Sequence, residues 1–221
     1  MITLVLEAST YAGSAALLRD DTLIGERSVA MRGREHEALM PAVAELLGEH
    51  DVVPGEIDRV VCGAGPGSFT SLRIAGAIAK GVALAAVCPL IPVSSLALLV
   101  ASHEPVRAGR YLAALDALRG EHYVGLFEVT DAGETRALGP ELRIPSGEIA
   151  ERAAQAQARV VGAGGPAEHD TMPRAGSAAR LGALLAAAPE ADLATWEPAY
   201  GRLAEAQVKW EAAHGRALEA T

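Results

Sequence analysis

The chain predicts an α/β fold built by duplication, with a complete first lobe over 1–104 and a smaller, reduced second lobe over 105–221. Three observations carry this. Strands 2–8, 13–18 and 23–29 form a meander that leads into a helical segment and a further strand. A strand, a glycine turn and a helix then follow in one piece over 60–87. The second half repeats that order more weakly, as meander, helix and strand.

The elements follow from local pattern. Asp20-Asp21 turns the second strand into the third. Residues 35–50 carry Leu39, Met40, Val43, Leu46 and Leu47 at helical spacing. Pro41 must kink that helix or sit near its first turn. Val60 and Val61 end the fourth strand, 58–63, which Gly63, Gly65 and Gly67 around Pro66 stop. Ser68 or Thr70 can cap the next helix, whose apolar positions are Leu72, Ala75, Ile78, Ala79 and Val82. Residues 90–93 give a fifth strand. In the second half 111–117 and 122–129 pair as a hairpin across Arg119-Gly120, and 142–144 is a short extended piece. Residues 146–157 read as a helix and 159–162 as a strand entering Gly164-Gly165-Pro166, while the tail from Trp196 ends in a helix.

Composition narrows the function. The chain has 221 residues, half of them hydrophobic, which supports a sizeable core. A net charge of −9 and a pI near 5.2 argue against autonomous nucleic-acid binding; a partner should supply the positive surface if RNA is involved. Cys62 and Cys88 match no metal spacing and read as reduced core thiols. No basic and apolar leader opens the chain, and the apolar run 78–93 is broken by Lys80 and Pro89. The expectation is a cytoplasmic protein with no membrane association.

A strand–glycine turn–helix is where α/β proteins hold phosphates, yet this copy fits neither standard loop. No lysine follows the glycines until Lys80, and the last glycine of the dinucleotide pattern is Ser68. Glu7 and Thr10 close the first strand, and Asp116 holds the matching place in the second half, a pattern that can hold a metal–phosphate between lobes. For each of the three taken alone, solvation or turn capping is the favoured reading. A nucleophilic reading needs Ser68, His36 and Asp116, but the nucleophile elbow is missing. The histidines form no metal-binding pair, so no metal site is expected. The helix after Phe69 stands out for Gly76 and Gly81 in its interior, each costing about 1 kcal/mol against alanine. With Ala75, Ala77, Ala79, Ala83 and Ala85 they leave a nearly bare surface that lets another backbone approach. Together with its neighbour over 35–50, this helix would meet another pair as a four-helix interface.

The segments Arg34-Glu35-His36, Gly65-Pro-Gly-Ser-Phe-Thr70, Leu72-Arg73-Ile74, Ala79-Lys80-Gly81, the stretch 114–123 and Glu197-Pro-Ala-Tyr200 closely resemble the TsaB (YeaZ) family. The resemblance runs from residue 1 to about 200. It implies an actin-like two-lobe fold and a place in the bacterial machinery that makes threonylcarbamoyladenosine next to the tRNA anticodon. It further implies a non-catalytic scaffold that dimerises with a TsaD-like catalytic paralogue, beside a TsaE-like ATPase. A homodimer is the other association open to it, and tRNA is met only through the complex. Contact residues expected on the helix pair are Glu35, His36, Leu39, Val43 and Leu46, then Ser71, Ile74, Ala75, Ile78, Ala79 and Val82. Glu7, Thr10 and Asp116 become vestigial nucleotide-site positions, with no catalytic residue and no cofactor on this chain alone; ATP and Mg²⁺ are left to the assembled complex. The catalytic paralogue carries a metal-binding histidine pair about where Ser95 and Leu99 stand here. Glu7 replaces the family's usual aspartate and Ser71 a common glycine. The alternatives are an independent ATP-dependent phosphotransferase of the actin-like class, which predicts nucleotide binding by the isolated chain, and a glycoprotease.

Overall fold

The computed structural model describes residues 1–32, 37–163, 167 and 169–201. Arg34, Glu35, His36, Gly164-Gly165-Pro166 and the tail over 202–221, where a helix is expected, therefore lie outside the described residues. The first strand, β1 (Ile2–Glu7), is apolar on both faces because it lies inside a sheet covered on both sides. It pairs antiparallel with β2 (Ala12–Arg19), which pairs with β3 (Thr22–Ala30) across Asp20 and Asp21. Both aspartates have positive φ, as a two-residue hairpin turn demands. α1 (Leu39–Glu49) begins two residues before Pro41, so the proline falls in the first turn, where its missing N–H costs nothing. β4 (Arg59–Gly63), α2 (Phe69–Ala86) and β5 (Leu90–Val93) complete a five-stranded sheet ordered β3-β2-β1-β4-β5.

The second lobe repeats this order. After α3 (Ser95–Ser102) come β6 (Gly109–Asp116), β7 (Glu121–Val129), β8 (Thr135–Ala137), β9 (Leu142–Pro145), α4 (Ile149–Ala156), β10 (Ala158–Ala163), β11 (His169–Asp170) and α5 (Gly182–Ala187). Its sheet runs β11-β10-β6-β7-β8, with β9 also on β7. β6 pairs antiparallel with β7 and parallel with β10, as β1 does with β2 and β4. This is a duplicated α/β architecture; the second sheet has six strands to the first's five, and no described helix stands between β10 and β11 where α2 stands in the first.

The expected helix over 146–157 resolves into a single turn, Ser146–Glu148, followed by α4. α3 carries no amphipathic signal, because all of Ser95 to Ala101 is buried. It lies in one core with Val5, Val61 and Val93 of the first sheet and Tyr111, Phe127 and Val161 of the second. The chain then recrosses to the first lobe. Ala175 N donates to Ser14 Oγ at 2.8 Å and Gly176 N to Glu26 Oε1 at 2.7 Å, and the Arg174 guanidinium pairs with the same glutamate.

One described helix, α2, is long and apolar enough by length and composition to cross a membrane. Here it lies on the sheet through one face, with Leu72, Ala75, Ala79 and Ala83 buried, and its other face is exposed.

Candidate functional site

The glycine turn after β4 is engaged by its own chain. A side chain at Gly67 would place its Cβ 2.2 Å from Ser9 O, which already accepts Ser68 N at 2.7 Å. Ser68 occupies the N-cap of α2, yet its Oγ meets Ser71 Oγ at 3.0 Å rather than a backbone N–H. Gly65 has φ +88° and stands where a Cβ would come within 2.3 Å of Ala199 O, so only glycine fits there.

Glu7 is fully buried at the end of β1. One carboxylate oxygen accepts Ser9 N at 2.5 Å and the other accepts Ser95 Oγ at 2.8 Å. Ser95 Oγ in turn accepts Gly65 N at 3.1 Å. Gly63 must lack a side chain, since a Cβ would lie 1.8 Å from Glu7 Oε2. Burial pushes the Glu7 carboxyl above the usual range, opposed by its bonds from Ser9 and Ser95. Burial also raises the adjacent Cys62 thiol, with the Glu7 charge adding to the effect. A Mg–nucleotide does not fit this knot: the carboxylate is sealed, and its partners are the turn and α3 themselves.

The other two expected nucleotide positions are turn residues. Thr10 Oγ1 donates to Ala12 O at 3.0 Å and accepts Ala12 N at 3.2 Å. Asp116 is exposed and its Oδ1 accepts Leu118 N at 2.7 Å. Each of Glu7, Thr10 and Asp116 closes its own turn, and none bonds another. Ser68 and Asp116 share no bond either, and His36 lies outside the described residues. The two positions compared with a histidine pair have structural work: Ser95 holds Glu7, and Leu99 is buried in the shared core. Among the described residues no group of three or more His, Cys, Asp or Glu could hold a metal ion.

The helix layer corrects the expected contact set. Leu39, Val43, Leu46, Ala75 and Ala79 are all buried in the chain's own core, against Leu4, Leu6, Val60 and Cys62. The stripe Ala75, Ala79, Ala83 therefore faces inward. Small residues there let α2 lie close on β4, and spacing alone could not tell that use from an outward one. Ser71 is buried as well, whereas Ile74, Ile78 and Val82 are half-buried. The exposed positions of α2 are Thr70, Arg73, Ala77, Gly81, Leu84 and Ala85, with Ile74 beside them; nothing lies within 4 Å of where a Gly81 Cβ would be, and Leu84 is 71% exposed. α1 offers Met40, Pro41, Ala44 and Gly48 outward.

Gly76, the other half of the bare surface, is covered. A Cβ there would lie 3.2 Å from Pro198 and 3.5 Å from Trp196. The segment from Trp196 to Tyr200 was not assigned a place beside α2 by any periodicity; its only signal was the Glu197-Pro-Ala-Tyr200 string.

This duplicated α/β fold has known relatives. The family model described as TsaD, tRNA N6-adenosine threonylcarbamoyltransferase, matches residues 31–208. TsaB of Bacillus subtilis is 31% identical over 95% of this chain and 98% of its own length, and TsaB of Escherichia coli is 34% identical over 86% and 83%. A solved structure, YeaZ from Pseudomonas aeruginosa, superposes with a TM-score of 0.71 at 27% identity, covering 90% of this chain and 99% of that one. The chain belongs to the superfamily that the TsaD model describes and, within it, to the TsaB (YeaZ) family.

Proposed function

We propose that this chain is the accessory TsaB-type subunit of tRNA threonylcarbamoyladenosine biosynthesis and acts as a scaffold, with the transfer chemistry on a TsaD-like catalytic paralogue. The observation that carries this is the outward face of α2, bare at Ala77 and Gly81 and apolar at Leu84, mounted on a sheet whose strand-end acid, Glu7, is sealed. Such a face admits another helix at close range. The names of the relatives supply the pathway. On this reading α1 and α2 make the main subunit contact, through Met40, Ala44, Ile74, Ile78, Ala77, Gly81, Val82 and Leu84, with a homodimer using the same face. Glu35 and His36, expected at the same contact, lie outside the described residues. The acidic charge leaves tRNA to the complex, and a TsaE-like ATPase would meet the pair rather than this chain alone. ATP and Mg²⁺ act in that assembly, away from the sealed Glu7 knot. The setting is cytoplasmic.

The test is co-purification with the TsaD-type subunit of the same organism, with nucleoside mass spectrometry of tRNA from a strain depleted of this protein. Association together with loss of the modified adenosine supports the reading. Normal tRNA in the depleted strain overturns it.

A further inference from the structure

The Glu197-Pro-Ala-Tyr200 string has no part in the helix-pair reading, yet its contacts are among the most specific in the molecule. After α5 the chain returns to the first lobe, where Ala191 N donates to Leu90 O at 2.8 Å. Asp192 closes a turn by accepting Ala194 N at 3.0 Å and Thr195 Oγ1 at 2.8 Å. The next five residues then run down α2 as a strap. Trp196 lies beside Lys80 (5.9 Å from ammonium to ring centre), Pro198 beside Gly76, and Tyr200 against Phe69 (4.5 Å between ring centres). Ala199 N donates to Ala64 O at 2.7 Å, fastening the strap to the turn that starts α2. From the second lobe, Tyr123 on β7 donates its hydroxyl to Tyr200 O at 3.3 Å. Gly65 and Gly76 are the two places where a side chain would push the strap away.

A helix seated on a sheet through Ala75, Ala79 and Ala83 has few bulky knobs to fix its lateral position. α1 packs over β2 and β3, while α2 packs over β4. The strap lies along the flank defined by Phe69, Gly76 and Lys80. We propose that the strap is a positioning element for the docking helix. Pro198, Ala199 and Tyr200 fix the first turns of α2 against both lobes and cover its Gly76 flank, so that a partner reaches α2 on the side of Ala77, Gly81 and Leu84 and not on that flank. This rests on the docking role proposed above, and it adds a task for the second lobe: through Tyr123 it sets the pose of a helix in the first.

The test uses the full chain with Tyr200→Ala, which removes the ring on Phe69, and Ala199→Pro, which removes the N–H on Ala64 O. Hydrogen exchange of α2 and affinity for the cognate TsaD-type subunit are measured side by side. Both variants are expected to exchange at least about tenfold faster over the first two turns of α2 and to bind at least about tenfold more weakly, a loss on the scale of one hot-spot contact. Tyr200→Phe, which keeps ring and carbonyl, restores both. Should either variant fail to fold, Gly76→Leu displaces Pro198 from inside and carries the same comparison. Unchanged exchange in α2 overturns the proposal, as does faster exchange with unchanged affinity. If the wild-type chain binds no TsaD-type subunit, the docking role fails, while the exchange arm still decides whether the strap positions α2.

Discussion

Ser95 stands between Glu7 and Gly65 as donor to one and acceptor from the other, at 2.8 and 3.1 Å. One hydroxyl thus ties the end of β1, the turn before α2 and the first residue of α3. Ser95→Ala leaves a buried carboxylate oxygen and a buried N–H without partners. The expected cost is about 2–4 kcal/mol, since each orphaned group carries its desolvation penalty. Chemical denaturation measures it; a loss below about 0.5 kcal/mol would show that the relay carries no weight.

Glu7 makes the stability depend on pH. Its carboxyl titrates above the ordinary value near 4.5 because burial disfavours the charge. The folded state therefore binds this proton more tightly than the unfolded chain does. Its contribution is full below the ordinary glutamate range and is lost as pH rises through the raised folded value. Glu7→Gln, neutral at every pH, is expected to flatten that decline. Denaturation midpoints compared from pH 4 to 8 show it, and parallel curves for the two proteins would refute it.

The first lobe was legible because its signals are local: the Asp20-Asp21 turn, the period of Leu39, Val43 and Leu46, and the glycines around Pro66 each point to one element. α3 was not, since a helix buried all round has no period to read. Ala75, Ala79 and Ala83 show the other limit. Small residues mark close approach of a backbone but not which backbone, and here it is the chain's own β4. Glu7 was legible as a strand-end acid, while its sealing by Ser95 depends on residues 88 positions apart. The strap is long-range in the same way, joining Trp196 and Tyr200 to a helix that ends at Ala86.

The inward stripe separates two substitutions that look alike on paper. Ala79→Leu overpacks the core and should cost about 1–3 kcal/mol of folding stability. Gly81→Leu enters open space and should stabilise the helix by up to about 1 kcal/mol. Only the second is expected to block association while the fold stays intact. Thermal unfolding and calorimetry against the TsaD-type subunit separate the two effects. Tight binding by Gly81→Leu would move the docking face elsewhere.

Val87, at the C-cap of α2, holds φ 53° and ψ 46° with its side chain 91% exposed. A β-branched residue in the left-handed region is strained, and exposure gives it no packing in return. Val87→Gly relieves about 1–2 kcal/mol of that strain but adds freedom to the unfolded chain. The net expectation is a gain of about 0.5–1 kcal/mol, read as a higher unfolding midpoint. A lower midpoint would mean that the exposed valine contributes contacts of its own.

The last prediction concerns the assembled enzyme. Asp116 accepts one backbone N–H in an exposed turn, and Glu7 is sealed behind Ser95 and Ser9. Glu7 has both oxygens engaged, and Asp116 belongs to no group of three or more His, Cys, Asp or Glu among the described residues that could hold a metal ion. Asp116→Ala and Glu7→Gln should therefore leave a reconstituted threonylcarbamoyl transfer within about threefold of wild type at saturating partner, less than about 0.7 kcal/mol of barrier. Gly81→Leu should lower it much further by preventing assembly. The assay includes size-exclusion chromatography of each mixture, so that loss of assembly and loss of turnover are scored apart. Abolished turnover by either carboxylate variant in an intact complex would mean that this chain supplies groups to the reaction and is no mere scaffold.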